Sequence, residues 1–344
     1  MARGNHMANL EELEDRLSVP PAGLVESFRW LEGDLLILGA GGKMGPSLAR
    51  MAARSREASG VSRKITAVSS FSVPGLRERL EAAGVETICR DLLEPGAFAA
   101  LPGAENVMYM VGRKFGSTGA EWQTWATNVY LAGLAAHRFK DSRVVAFSSG
   151  NVYPFVPADG KGATETTPPG PVGEYAITCL GRERMFDYCA RELGGRVLHL
   201  RLNYAVELRY GVIVDVALNV WNETPVDLAM GYFNCVWQGY ANAVALQCFA
   251  LAGSPARILN VTGPETVSVR RLALRLGEYM GKTPVFIGQE APDALLSDAS
   301  ECHRIFGLPE VGLEQIIEWT ADWVMRGGPL LNKPTHFATR DGRF

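Results

Sequence analysis

The chain has 344 residues, 47% hydrophobic and 21% charged, and its 34 Lys and Arg against 37 Asp and Glu leave a formal charge of -3. That length suits two domains, or one large domain with a subdomain. The near-balance of charge excludes bulk binding to nucleic acid or an anionic membrane, which needs clustered Lys and Arg, and 9% aromatic residues exclude wholesale disorder.

Residues 1–7 read as an expression remnant, with the native start at Met7. Residues 8–31 read as one or two short amphipathic helices broken at Pro20-Pro21. Glu11, Glu12 and Glu14 make this stretch too acidic for a signal peptide, and no apolar run approaches the roughly 20 residues of a membrane span. The six cysteines form no C-x-x-C and the five histidines no H-x-x-x-H, so neither disulfides nor a metal site is expected. The expected compartment is a reducing cytoplasm.

Asp34-Leu-Leu-Ile-Leu38 is a continuous apolar strand of the kind buried on both faces of a parallel sheet. It runs into Gly39-Ala-Gly-Gly-Lys-Met-Gly45, and a helix begins at Pro46 with Leu48, Met51 and Ala52 on its apolar stripe. Further strands are predicted over 65–69, 86–89, 106–111, 143–147 and 197–202, with helices over 75–83, 120–139 and 175–193. Beyond 205 the alternation loosens, with helices over 212–221, 241–251, 269–280, 299–306 and 313–323 and a strand over 258–262. The expected fold class is α/β, a Rossmann-like doubly wound parallel sheet with a smaller C-terminal α/β substrate subdomain. The expected organisation is an N-terminal extension (1–32), a dinucleotide-binding half (33–205), an interleaved substrate subdomain (206–326) and a surface-wrapping tail (327–344).

A glycine turn between strand and helix lets the backbone approach a pyrophosphate, which the helix-terminal N–H groups then bind. Gly39, Gly42 and Gly45 form G-x-x-G-x-x-G; the commoner G-x-G-x-x-G would need glycine where Met44 stands.

This glycine spacing, Asp91-Leu92, Asn128, Ser148-Ser-Gly-Asn-Val-Tyr153 and Tyr175 together resemble the extended short-chain dehydrogenase/reductases, the NAD-dependent epimerase/dehydratase family. The resemblance continues through Leu259-Asn-Val-Thr-Gly-Pro264, Ser268, Leu296-Ser-Asp298, Leu313 and Trp323, and so covers residues 33–326. It implies NAD or NADP as cofactor, and a hydroxyl or carbonyl of a carbohydrate-like small molecule as the reacting group. The reaction implied is an oxidoreduction, an epimerisation or an elimination. Gly39, Gly42 and Gly45, with Lys43 and Met44 in the same turn, would hold the pyrophosphate, and Ser69 and Ser70 would meet the adenosine ribose. Asp91 and Leu92 would meet the adenine, while Val111, Gly112 and Arg113 would border the nicotinamide ribose beside Ser148. Asn128 would support the backbone, Ser149 would hydrogen-bond the reacting oxygen, and Tyr175 would border the cofactor and carry the proton. A homodimer packed through the helices of Asn128 and Tyr175 is also implied. The rival reading is a cofactor-binding sensor or scaffold without redox catalysis.

The chain departs from the family at three places. Where the pattern is Tyr-x-x-x-Lys, it reads Tyr175-Ala-Ile-Thr-Cys179, so the charge that lowers the phenol pKa must come from elsewhere. Arg182 reads as a solvated helix charge, Cys179 as a small packed residue, and Arg113 and Lys114 as cofactor or substrate contacts. No carboxylate follows Val68; Ser69-Ser-Phe-Ser72 tolerates a 2′-phosphate, with Lys43 or Arg77 to pair it, which leans the cofactor toward NADP. In place of Arg-Pro-x-Asn stands Arg201-Leu-Asn-Tyr204. Asn151, Asn203, Tyr204 and Arg209, with Lys114, are the candidate substrate contacts. Tyr210, Trp221 and Trp237 are either pocket lining or core.

Overall fold

The computed structural model describes residues 6–114, 116, 118–333 and 335–343. Seven strands form one sheet: β1 (Leu35–Leu38), β2 (Ile65–Ser69), β3 (Glu86–Cys89), β4 (Asn106–Tyr109), β5 (Arg143–Ser149), β6 (Arg196–Leu202) and β7 (Arg257–Val261). Their order is β7-β6-β5-β4-β1-β2-β3, and every neighbouring pair is parallel. This is the Rossmann-like doubly wound α/β fold. All four residues of β1 are buried, as a strand covered on both faces requires, at about 1.5–3 kcal/mol for each large apolar side chain. The order reverses between β1 and β4, which opens a crevice at their carboxyl ends.

On one face of the sheet α2 (Ala22–Trp30), α3 (Gly45–Ser59) and α9 (Gln238–Gln247) share a core with Ile37, Met108 and Leu200. On the other lie α6 (Leu131–Arg138) and α7 (Gly173–Glu192), where Phe186 meets Tyr109 edge-on at 5.1 Å. A second core joins α8 (Val212–Trp221), α10 (Val269–Met280) and α12 (Leu313–Met325). The N-terminal extension straddles the two cores: Leu24 and Phe28 enter the first, while Leu13 of α1 (Leu10–Arg16) and Leu17 just after it enter the second. Of the first seven residues, 1–5 lie outside the described ones; Met7 is buried in the second core.

Two elements and two tryptophans differ from the sequence reading. The strand expected over 258–262 among the substrate elements is β7, paired with β6 in the main sheet. The chain enters the second half and returns, and local patterning does not report that. The helix expected over 120–139 is α5 (Glu121–Trp125), a π turn (Ala126–Tyr130) and α6. Trp237 packs edge-on against Trp319 at 5.6 Å and Trp221 lies under Lys282 at 5.6 Å, so neither lines the crevice.

Among the described residues no helix is long and apolar enough to cross a membrane.

One buried ion pair joins α7 to the sheet. Arg201 on β6 donates to both Glu183 carboxylate oxygens, at 2.9 and 2.7 Å, and Ser148 on β5 donates to the same carboxylate at 2.6 Å. Glu183→Gln leaves the guanidinium buried beside a neutral amide, and is expected to lower stability by about 3 kcal/mol in denaturant unfolding. An unchanged midpoint would show that the pair is not what anchors α7.

Candidate active site

The glycine turn leaves β1 at the crevice. A Cβ on Gly39 (φ +83) would come within 2.9 Å of the Met110 and Val111 backbone, and one on Gly45 within 2.3 Å of the Ala40 carbonyl oxygen. Both positions therefore require glycine for close backbone packing. At Gly42 the nearest atom to such a Cβ is the Gly39 carbonyl of the same turn, at 3.4 Å, and the residue faces open space. No side chain caps α3, so its first N–H groups remain available to an anion. These features fit a pyrophosphate. Met44 packs into the first core as well as lining the crevice. Lys43 crosses from the turn to the second half, donating to the Ala205 carbonyl at 2.6 Å and lying 4.1 Å over the Tyr210 ring. Burial pushes its ammonium down to about 7.

Asn128, buried in the π turn, bridges the segment after β4 to α7. Its Oδ1 accepts from the Arg113 backbone N–H at 2.7 Å, and its Nδ2 donates to the Arg113 carbonyl at 3.0 Å and the Thr178 hydroxyl at 2.9 Å. Single π turns inside helices recur at functional sites. Beneath this segment lies Arg182. It is 5% exposed and donates to the Phe147 carbonyl at 2.7 Å, and a Cβ on Gly112 would sit 2.8 Å from its Nη2. The expectation of a solvated helix charge is thus overturned, because the face of α7 that carries Tyr175 and Arg182 packs onto the ends of β4 and β5.

Ser149 ends β5, opposite Leu202. Its hydroxyl donates to Asn151 Oδ1 at 2.9 Å and accepts from the Asn151 N–H at 3.2 Å. Tyr175, in the first turn of α7, lines the same cavity as Ser149, with Cys179 and Ser149 as polar side-chain neighbours of its phenol. Burial, with Cys179 adding to it and Arg182 opposing, holds the phenol well above its ordinary range. Cys179 is fully buried, and burial raises its thiol too.

A cavity of about 290 Å³ gathers Gly39, Gly42, Lys43, Met44, Gly45, Gly112, Lys114, Ser148, Ser149, Asn151, Tyr175, Asn203, Tyr204 and Tyr210. Met110, Phe147, Leu202 and Ala205 complete its wall. The sequence reading missed these four. Their signal was positional: each lies at or just beyond the carboxyl end of β4, β5 or β6. Tyr204 has φ +45, and burial pushes its phenol up to about 12. Asn203 also donates to Asn234 and to the Leu295 carbonyl, both at 3.2 Å. An adjoining cleft of about 370 Å³ is lined by Gly41, Gly42, Lys43, Arg79, Gly112, Lys114, Arg209 and Lys333.

Other candidates lie elsewhere. Arg209 is paired with Glu14 at 2.6 Å and Glu207 at 3.1 Å. Arg77 binds Glu81 and Thr87, both at 2.9 Å. Arg113 turns its side chain to the Gly116 carbonyl at 3.2 Å, and Val111 packs against the α6–α7 core. Asp91 accepts from the Leu93 N–H at 2.9 Å, and Leu92 is buried in the core. Ser69 accepts from the Phe71 N–H at 3.4 Å and sits against Gly41; Ser70 is exposed, its carbonyl accepting from the Cys89 thiol at 3.6 Å.

No protein-family model matches the chain, and no curated protein does. Solved structures do match. UDP-glucuronic acid 4-epimerase from Bacillus cereus, in complex with UDP-glucuronic acid and NAD, is 16% identical with a TM-score of 0.71, over 85% of this chain and 99% of that one. dTDP-glucose 4,6-dehydratase from Streptomyces venezuelae, with NAD bound, is 18% identical with a TM-score of 0.71, over 85% and 97%. UDP-glucose 4-epimerase from Thermotoga maritima, with UDP-glucose, is 17% identical with a TM-score of 0.69, over 86% and 99%. At these identities the likeness establishes a shared fold.

Asn128→Ala strands the Arg113 backbone N–H and carbonyl, while the Thr178 hydroxyl keeps its bond to the Tyr175 carbonyl, and is expected to cost about 2 kcal/mol of stability. Hydrogen exchange should accelerate at the Arg113 amide; unchanged protection there would contradict the bridging role.

Proposed function

We propose that the chain is an NAD-dependent enzyme acting on a hydroxyl or carbonyl group of a sugar-like small molecule, with Tyr175 as acid/base and Ser149 holding the reacting oxygen. One observation carries this reading: Ser149 and Tyr175 line the same cavity that the Gly39–Gly45 turn opens into. A sensor or scaffold has no chemical need for that convergence.

The turn and the α3 N-terminus would hold the pyrophosphate, with Gly112 beside the nicotinamide ribose. Bound there, the dinucleotide supplies or accepts the hydride. The chain's own residues handle the proton. Ser149 donates a hydrogen bond to the substrate oxygen, and Tyr175 transfers its hydroxyl proton to that oxygen or, as phenolate, removes one. Because burial favours the neutral phenol, Tyr175 enters at neutral pH as the acid. This suits carbonyl reduction, or the return half of an epimerisation.

NAD is preferred over NADP in this reading. Lys43 and Arg77, the two cations the sequence singles out for a 2′-phosphate, are engaged by Ala205 and Glu81, and two of the similar structures described above contain NAD. Six free thiols suit a reducing compartment, and we place the protein in the cytoplasm. Trp122, Trp125, Tyr130, Ile177 and Tyr188 leave an exposed aromatic and apolar face on α5, the π turn and α7, which supports a homodimer. Sedimentation should then give twice the chain mass of 37.3 kDa, and a monomer at micromolar concentration would refute it.

Nicotinamide absorbance followed over a panel of sugars, keto sugars and secondary alcohols tests the activity. Tyr175→Phe is expected to lower turnover at least a hundredfold while cofactor affinity stays within about twofold, with NAD bound more tightly than NADP. Equal turnover by the variant would remove Tyr175 from the mechanism, and tighter NADP binding would reverse the cofactor assignment.

A further inference from the structure

Replacing the family's lysine by Cys179 leaves α7 without an ammonium beside its tyrosine, yet the cavity is not without a cation. Lys114, from the loop after β4, lines the cavity and places Nζ 5.7 Å from the centre of the Tyr175 ring. Its ammonium donates to the Thr335 carbonyl at 3.1 Å, 221 residues away in sequence. Thr335 is 1% exposed and is fixed in turn by Asp215, which accepts from its N–H at 2.8 Å and its hydroxyl at 2.6 Å. The C-terminal tail thus holds a lysine of the first half in place through a carboxylate of the second. Arg182 also acts on Tyr175, but it lies behind Gly112 and outside the cavity wall.

We propose that Lys114 is the catalytic cation of this site, supplied from the loop after β4 and seated by the tail, and that it stabilises the negative charge left on Tyr175 when the proton is transferred. This deepens the proposed function and rests on it. In carbonyl reduction the substrate carbon gains a hydride from the reduced cofactor, and the Tyr175 O–H bond breaks as the substrate O–H bond forms. The charge left on the phenolate is stabilised by the Lys114 ammonium until solvent returns a proton. An ammonium here also disfavours the positively charged oxidised nicotinamide relative to the neutral reduced ring.

Burial pushes Lys114 down to about 8, so it is charged at pH 7 and loses its proton above that value. The groups facing it are Tyr175, Cys179 and Arg182 on α7, Asp215 on α8, Lys43 in the glycine turn and His336 in the tail beside Asp215. Of these Lys43, pushed down to about 7, is a second cation that loses charge near neutrality. A variant with a fixed charge at 114 therefore separates the two.

The test is fluorescence titration of the full chain with oxidised and with reduced nicotinamide dinucleotide, at pH 7 and pH 9, for the native protein, Lys114→Met and Lys114→Arg. At pH 7 Lys114→Met is expected to raise affinity for the oxidised form relative to the reduced form about tenfold, as loss of one nearby charge dictates. Lys114→Arg should keep the native ratio. Raising the pH to 9 should move the native ratio toward that of Lys114→Met, and should move Lys114→Arg less. Both forms bound, with a ratio that Lys114→Met leaves unmoved, overturns this inference alone. Failure of the native chain to bind either form overturns the proposed function and this inference with it.

Discussion

The three hydrogen bonds of Asn128 are the constraint on which the site depends. They fix the Arg113 backbone, hence Gly112 before it and Lys114 after it, and through Thr178 they fix the turn of α7 that carries Tyr175 and Cys179. One buried amide therefore sets the distance between two elements that share no local sequence. The π turn lets that amide enter a helix-lined wall. A regular α-helix would rotate residue 128 away from one partner or the other.

Electrostatics then decide what the site can do. A buried phenol beside a buried thiol resists ionisation, since neither group offers charge to the other at neutral pH. Arg182 counters this from behind Gly112, and in the inference proposed above Lys114, 5.7 Å from the ring centre, does so from within the cavity. Lys43 and Lys114 are subject to the same two pulls. Burial lowers both ammonium groups toward neutrality, while Glu207 and Asp215 hold them charged.

Local patterning carried the fold far. β1 followed by the glycine turn, the repeated strand and helix spacing, and α8 and α10 to the residue were legible, because continuous apolar runs and helical stripes report burial directly. That Ser149 and Tyr175 come to line one cavity was foreshadowed by a motif that resembles a family's. Contacts made by the return of the chain were not legible. Nothing near Arg182 in sequence announces that Gly112 will cover it, and nothing near Lys114 announces Thr335. Nothing near Arg209 in sequence announces its ion pair with Glu14 of the N-terminal extension. β7 reads as a strand of the second half until its register with β6 is seen.

The central claim is that Ser149 and Tyr175 complete a hydride transfer at a carbonyl carbon in this cavity. Its most direct measurement is mass spectrometry of the products formed from a panel of keto sugars with reduced cofactor deuterated at the transferable position. The native chain should place one deuterium on the carbinol carbon of one substrate class, and Tyr175→Phe should place almost none. No deuterium in any product from a native chain that binds the cofactor, or equal incorporation by the variant, would contradict the claim.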